Sequence, residues 1–457
     1  TADLKPAAGG TSADGPIGIS IGLANVNGAL SGRIENQRLT LDPGKQINAS
    51  ISRDLLAVLE KRFEALKPVI DRLDVADKTA ITVTVDRFNV ALDKPSLETI
   101  TAKATVGVGA VGAKVDDELT VRVQSTDLTV DYGGDEKTQA TLAVKAVHDE
   151  QPVSIDLTIS GDVKPAADGS FDPFAGKYDI DGDVTGVPIA IADRMAKQNG
   201  LLVEALGATL SSKITGQLQP AKDLTQYDGQ ITLTPTAAHA DGGRAMDGKL
   251  VARIKDGRVA LIDQSHVNLT ATPRLVESLS KRYLAPPADK PDAPPVSITE
   301  ARPIKVQIET LGLPMDPEQL ATTKMKLRVD SGSIVLAGDP RFAGLTMHTL
   351  TAAIPETDLG SAITPELVAA MQDGDKRFDV HMAVTVRRAL QDDRGVQAKV
   401  VVKTPPMKTL ARFTDQTPLI ETVTGDIASA TLTYTQDPQV DKAMNVGVAL
   451  DSQGVNT

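Results

Sequence analysis

The chain of 457 residues contains no cysteine and no tryptophan, and aromatic residues make up only 3% of it. Without cysteine the protein has neither disulfides nor thiolate metal ligands. The scarcity of aromatic rings argues against the stacking platforms on which many proteins hold nucleic-acid bases. No stretch approaches the roughly 18 consecutive apolar residues that indicate a membrane-spanning helix.

The sequence also lacks a cluster of basic residues. The 60 acidic residues outnumber the 48 basic ones, which gives a net charge of −12, and the lysines and arginines form no cluster. Because nucleic-acid phosphates are bound by such clusters, we expect no nucleic-acid partner.

The residues of common catalytic and metal sites occur without the spacing that their chemistry needs. The five histidines are scattered, and no serine lies in a G-x-S-x-G turn. Asp179, Asp181 and Asp183 alternate as on the solvated face of a strand, whereas a calcium loop needs another spacing of glycine and glutamate. We therefore expect no enzymatic activity, no cofactor and no bound metal.

A formal G-x-G-x-x-G motif occupies residues 107–112. In a dinucleotide site the third glycine begins a helix whose N-terminus meets the pyrophosphate. Here the residues that follow, 114–123, alternate as in a strand. We interpret these glycines as a hairpin turn.

From Ile17 onward, apolar and polar residues alternate along most of the sequence. Asp-Gly, Gly-Gly and Asn-containing turns separate the alternating runs. This period of two predicts antiparallel strands joined by hairpins. Residues 1–16 are small, polar and rich in glycine and proline, which predicts a flexible N-terminal arm. The expected fold is mainly β, an elongated repeating meander whose sheet curls into a groove, with a few short helices.

Three segments share a pattern in which a hydroxyl residue is followed by apolar residues three, four and seven positions later: 52–59, 272–279 and 364–371. The pattern is typical of a short helix with an N-cap and one buried stripe. It predicts three helices packed on the sheet through Leu55, Leu56 and Leu59, through Leu275, Val276 and Leu279, and through Leu367, Val368 and Met371.

Strand patterns repeat as well. Residues 81–92 match 304–315 at an offset of 223, and a second helix type recurs at 202–206 and 419–423. A slip of one residue would move every side chain of a strand to the other face, so a constant offset predicts the same fold in both halves. We therefore divide the chain into an N-terminal arm, 1–16, and two repeat units, 17–256 and 257–457.

The two faces of the predicted sheet differ in polarity. Thr82 and Thr84 alternate with apolar residues, so one face is polar and the other aliphatic. The aliphatic face either packs on a second sheet, as in a β-sandwich, or lines an open trough that contacts lipid chains, and the small supply of helices to cover it favours the trough. Its candidate lining residues are Ile81, Val83, Val85, Val106, Ile304, Val306, Ile308, Leu327 and Val329.

The capped Thr-Pro-x-Leu-Val segments followed by alternating strands, and the Leu-Val-Glu-Ala-Leu-Gly segment at 202–207 before another strand, resemble the AsmA-like envelope proteins. That group includes TamB-type and YhdP-type proteins, and the resemblance covers most of residues 17–457. It implies a β-groove that crosses the periplasm and carries phospholipid toward the outer membrane. The partners it implies are acyl chains, together with inner- and outer-membrane proteins or further repeats of a longer chain.

An alternative function is a structural or adhesive module of the cell envelope, of surface-layer or stalk type. An acidic, cysteine-free, β-rich composition suits such a module equally well. The two functions differ in the aliphatic face, which stays uncovered in a conduit and is closed by a second layer in a structural sandwich.

Overall fold

The computed structural model describes residues 5–6, 13–23, 26–62, 67–70, 73–75, 78–93, 97–114, 120–133, 138–162, 176–195, 198–220, 228–255, 258–262, 265–284, 286, 291–314, 317–387, 395–413, 424–437 and 441–456. These residues are mainly antiparallel β-sheet with few short helices, which confirms the predicted fold class. The chain forms two compact units, Thr1–Ala192 with Thr209–Leu233 and Asp193–Ala208 with Thr234–Thr457.

From Ile17 onward the strands of the first unit follow the predicted alternation, whereas residues 5–6 and 13–16, predicted to be part of a flexible arm, are also paired strand. They are β1 (Lys5–Pro6), β2 (Ala13–Leu23), β3 (Val26–Glu35), β4 (Arg38–Leu41), β5 (Lys45–Ile51), β6 (Leu73–Asp74), β7 (Thr79–Ala91), β8 (Thr101–Val108), β9 (Val111–Lys114), β10 (Thr120–Tyr132), β11 (Thr138–His148), β12 (Gln151–Asp162), β13 (Lys177–Pro188) and β14 (Thr209–Leu218). The next strand, β15 (Gly229–Ala238), contains the boundary between the units.

The second unit continues with strands of similar length. They are β16 (Arg244–Lys255), β17 (Arg258–Leu261), β18 (Ser265–Ala271), β19 (Ser297–Ile298), β20 (Arg302–Pro314), β21 (Lys324–Ser331), β22 (Ile334–Ala337), β23 (Thr346–Asp358), β24 (Glu366–Asp373), β25 (Lys376–Arg387), β26 (Gly395–Lys403), β27 (Thr424–Asp437) and β28 (Asp441–Asn456).

Helices are short in both units. The α-helices are α1 (Arg53–Arg62), α2 (Lys67–Ile70), α3 (Ile189–Met195), α4 (Leu201–Leu206), α5 (Pro273–Tyr283) and α6 (Met407–Ala411), and Leu97–Thr99 and Pro317–Thr322 are 3₁₀ turns. Helix α4 confirms the first copy of the second helix type, whereas the second copy at 419–423 lies outside the described residues. No described helix has the length and apolar character needed to span a bilayer.

The duplication predicted from the strand patterns is present in the structure. Strands β7 and β20 are both 13 residues long, and β8 and β21 are both 8 residues long. The pairing order β5–β7–β8–β10 recurs as β18–β20–β21–β23, all antiparallel. Even a bulge repeats, between Val85 and Arg87 in β7 and between Ile308 and Thr310 in β20. Equal register with an equal bulge means that corresponding side chains point to the same face.

Two of the three predicted helices are confirmed. Helix α5 begins after Thr272, whose Oγ1 accepts a hydrogen bond from the Leu275 amide at 3.2 Å, and Pro273 is its first residue. Helix α1 begins directly after Ser52, and its first backbone hydrogen bond runs from the Leu56 amide to the Ser52 carbonyl at 3.0 Å. Leu56 is buried, whereas the stripe of α5 is half-buried. The side chains of Leu55 and Leu59 lie outside the described part.

The third predicted helix, at 364–371, is wrong. This segment is β24, and both of its edges are paired, Leu367 with Ala352 of β23 and with Met382 of β25. The hydroxyl of Thr364, predicted to be an N-cap, lies 3.1 Å from the hydroxyl of Thr385. Val368, predicted to be buried, is exposed on the opposite face from Met371.

The hairpin interpretation of the glycines at 107–112 is also wrong. Strands β8 and β9 both pair with β10, Val108 opposite Thr126 and Val111 opposite Val123. Gly109 therefore lies in a two-residue interruption along one edge of β10, where its amide donates to the Ala80 carbonyl at 2.8 Å.

Two hydrophobic clusters form much of the core of the second unit. The Ile298 cluster consists of Ala271, Ile298 and Ile334, with Val276 of α5 packed against it. The Leu345 cluster consists of Leu345, Ala369, Met371 and Phe378, with Phe342 and Met347 packed against it. Both clusters lie where a helix or the 338–345 loop covers an end of the strands.

The N-cap of α5 gives a first testable consequence. Replacing Thr272 by alanine removes the acceptor of the Leu275 amide and should lower the free energy of unfolding by about 1 kcal/mol. Urea denaturation followed by circular dichroism measures the change, and Thr272→Ser, which retains the hydroxyl, serves as the control. Equal losses in both variants would contradict the capping role.

Candidate functional site

The candidate lining residues lie on one face within each unit. In the first unit Val83 is directly opposite Val106. In the second unit Val306 is opposite Val329, and Ile308 is opposite Leu327. Residues directly opposite each other in an antiparallel pair share a face. All nine predicted residues, Ile81, Val83, Val85, Val106, Ile304, Val306, Ile308, Leu327 and Val329, are half-buried.

Register extends this aliphatic face across many more strands than the prediction named. In the first unit one cross-strand row consists of Ile47, Val83, Val106, Leu128, Leu142 and Leu157. In the second unit the corresponding row consists of Val267, Val306, Val329, Ala352, Leu367, Met382, Val400 and Leu432. We call the surface that contains these rows the aliphatic face of each unit.

The opposite face of the first unit is polar. A row of hydroxyl side chains runs directly across it, from Thr84 of β7 through Thr105, Thr129, Thr141 and Thr158. The hydroxyls of Thr105 and Thr129 are 2.9 Å apart, within hydrogen-bond distance. An antiparallel sheet with one polar and one apolar face normally buries the apolar side against a second layer.

That second layer is incomplete over the aliphatic face. Leu128 and Val130 in the middle of β10 are each 40% exposed, and Leu432 of β27 is 44% exposed. Ile304 is different, because it packs against the Ile298 cluster beneath α5. The helices therefore cover an end of the strands, while aliphatic side chains in the middle remain accessible.

An apolar cavity adjoins the aliphatic face of the first unit. Its volume is about 280 Å³, and it lies beneath α1, between Leu56 of that helix and Val123 of β10. Val108 and Thr126 line it and also form a cross-strand pair next to Ile81 and Val144. The cavity is thus continuous with the face that the strand pattern predicts.

A larger cavity of about 560 Å³ lies on the polar side of the first unit, among Thr158, Asp179, Asp181 and Thr215. Gln217 donates a hydrogen bond from Nε2 to Asp179 Oδ1 at 2.7 Å. One of the carboxylates that line this cavity therefore already has a hydrogen-bond partner. Strand β13 carries these acids on its solvated face, as the sequence predicts. Across the described residues, no group of three or more histidine, aspartate or glutamate side chains has the arrangement of a metal site.

The shifted titratable groups have structural causes. A hydrogen bond from Asn268 Nδ2 at 2.7 Å and the neighbouring Arg244 lower the pKa of Asp247. Burial, together with the charge of Glu98, raises the pKa of Tyr132. These shifts therefore follow from a hydrogen bond, from burial and from neighbouring charges.

Sequence reasoning missed the residues that connect the lining into rows, among them Leu128, Leu142 and Leu157. Their alternation was visible, but the register that places them beside Val83 depends on long-range pairing. The cavity beneath α1 was missed as well. No protein-family model matches this chain, and no curated protein or solved structure matches it.

Proposed function

We propose that the aliphatic faces bind the acyl chains of phospholipids, and that the protein is a non-enzymatic part of a lipid conduit in the cell envelope, in the periplasm. The observation that carries this proposal is the accessibility of aliphatic residues in the middle of the sheet, such as Leu128 and Leu432. Extended apolar surface in contact with water is unfavourable, and it normally marks a surface that binds something.

Chemistry favours acyl chains as the occupant. The rows are aliphatic and contain no charged side chain, so they offer van der Waals contact and no partner for a polar ligand. Continuous rows across successive strands suit a long flexible chain better than a compact ligand. The repetition of the face in both units also agrees with what the resemblance to AsmA-like proteins implies.

The test is the lipid content of the purified protein. Wild-type protein should carry phospholipid that organic extraction and mass spectrometry detect, and Val83→Asp with Val306→Asp should lower its amount about tenfold or more, because acyl chains cannot solvate a carboxylate. Thr84→Asp with Gln307→Asp is the matched control, since these residues are the next along the same two strands and point to the other face.

The control pair should retain the lipid content of the wild type, and circular dichroism checks that all variants keep their strands. Lipid-free wild-type protein would overturn the proposal and would favour the structural or adhesive module.

A further inference from the structure

Apolar residues lie beneath α1 in the first unit and beneath α5 in the second. In the first unit the space beneath α1 is an apolar cavity of about 280 Å³, lined by Ile51, Leu56, Leu73, Val75, Val111 and Val123. An apolar cavity of about 150 Å³ is large enough to hold benzene. The cavity of the first unit therefore has room for a segment of roughly ten carbon atoms by the same comparison.

In the second unit the corresponding position beneath α5 holds the Ile298 cluster. Its members Ala271, Ile298 and Ile334 correspond by register to Ile51, Leu73 and Val111. They are almost completely buried. The residues that line the cavity in the first unit thus correspond to a packed cluster in the second.

Side-chain size differs in both directions between equivalent positions. The bulge of β10 begins at Val123, and the bulge of β23 begins at Met347, so these two residues are equivalent. Thr126 is opposite Val108 in the first unit, and its equivalent Leu350 is opposite Ser331 in the second. Met347 packs against both clusters of the second unit, and Leu350 packs against the Leu345 cluster. Larger residues at Val123 and Thr126 would therefore reduce the space beneath α1.

The lining determines what kind of group fits. Apart from Thr79 and Thr126 it is aliphatic or glycine, and the Thr79 hydroxyl already donates to the Ala110 carbonyl at 3.0 Å. A charged or strongly polar group would find no partner there. The methyl end of a hydrocarbon chain needs none, and it would gain dispersion contacts with the aliphatic lining.

We propose that the cavity beneath α1 binds the methyl end of one acyl chain whose remaining length lies along the aliphatic face of the first unit. This inference rests on the proposed function and assigns a fixed end point to the bound chain. In the second unit the corresponding residues form the Ile298 cluster, with Met347 packed against it.

The experiment uses a palmitic acid analogue that carries a photoactivatable diazirine at its methyl end. After illumination of the complex with the full chain, peptide mass spectrometry should find adducts on residues of the cavity, such as Ile51, Val75 and Val123. Val123→Met with Thr126→Leu introduces the residues of the second unit and should reduce these adducts about tenfold, because several methylene groups lose their burial. Val147→Met, the same change on the opposite, polar face of β11, should leave them unchanged.

The outcomes separate this inference from the proposed function. Adducts confined to the aliphatic face in wild-type protein would overturn the inference and leave the proposed function standing. Absence of bound fatty acid and of any adduct would overturn both. If the double variant does not fold by circular dichroism, Val123→Met alone makes the same comparison.

Discussion

Replacing Met371 by alanine should lower the free energy of unfolding by about 2–5 kcal/mol, the range for a buried side chain of this size. Met371 is 8% exposed and belongs to the Leu345 cluster with Phe378. Val368→Ala should change the free energy by less than about 0.5 kcal/mol, because Val368 is 49% exposed on the other face of the strand. Urea denaturation of both variants measures the difference.

The comparison also tests the secondary structure of the segment. In a helix, Val368 and Met371 would lie three residues apart on one buried stripe, and both substitutions would be costly. In the observed strand they point in opposite directions. Equal losses in the two variants would contradict β24 and restore the helix that the sequence pattern predicts.

Replacing Arg341 by methionine should lower the free energy of unfolding at pH 7 by about 2–3 kcal/mol, because it removes charged hydrogen bonds from a buried carboxylate. Asp339 is only 3% exposed, and Arg341 Nη2 lies 2.6 Å from its Oδ2. The same guanidinium lies 5.8 Å from the ring of Phe342, which packs against the Leu345 cluster. The pair therefore holds the 338–345 loop over that cluster.

The loss should depend on pH in a defined direction. Burial of the Asp339 carboxyl raises its pKa, but hydrogen bonds from the Arg341 side chain and backbone outweigh burial, so the pKa lies below its usual value. A lowered pKa in the folded state means that the pair stabilises the protein fully above the unfolded pKa of about 3.9 and less as the pH falls through the folded value. The difference between wild type and variant should shrink below about pH 4.

Urea denaturation at pH 7 and at about pH 3 measures this change. The matched control is Arg328→Met, since Arg328 also binds an aspartate two residues away, Asp330, but at the surface. We expect the control to alter stability little at either pH. A loss for Arg341→Met that is the same at both pH values would show that the arginine acts through packing alone.

Fold class and duplication could be predicted from the sequence because both depend on local alternation and on a constant offset. The strands at 79–91 and 302–314 follow from apolar residues at every second position. The pattern at 364–371 is compatible with two structures, since Leu367 and Met371 fit both a helical stripe and the alternation of a strand. Pairing with β23 and β25 decided between them, and pairing is a long-range property that no short pattern contains.

Local alternation predicts only part of the candidate site. Alternation placed Val83 and Val306 on an aliphatic face, but it could not show which strands would extend that face or where it would be covered. Ile304 illustrates the limit, because its pattern matches Ile81 while α5 and the Ile298 cluster cover it. The cavity beneath α1 depends on how a helix packs against strands that are distant in the sequence, which no short pattern contains.

Each strand from β10 to β13 pairs with the strand that follows it in the chain, and so does each strand from β23 to β27. A pulling force along the polypeptide would therefore open such a series like a zipper, one hydrogen-bonded pair after another, instead of shearing many bonds at once. Resistance to tension would be low and nearly constant, and extension would advance by one hairpin at a time. A sheet built in this way yields gradually under mechanical load. The strands that remain paired keep their register, and with it their part of the aliphatic face.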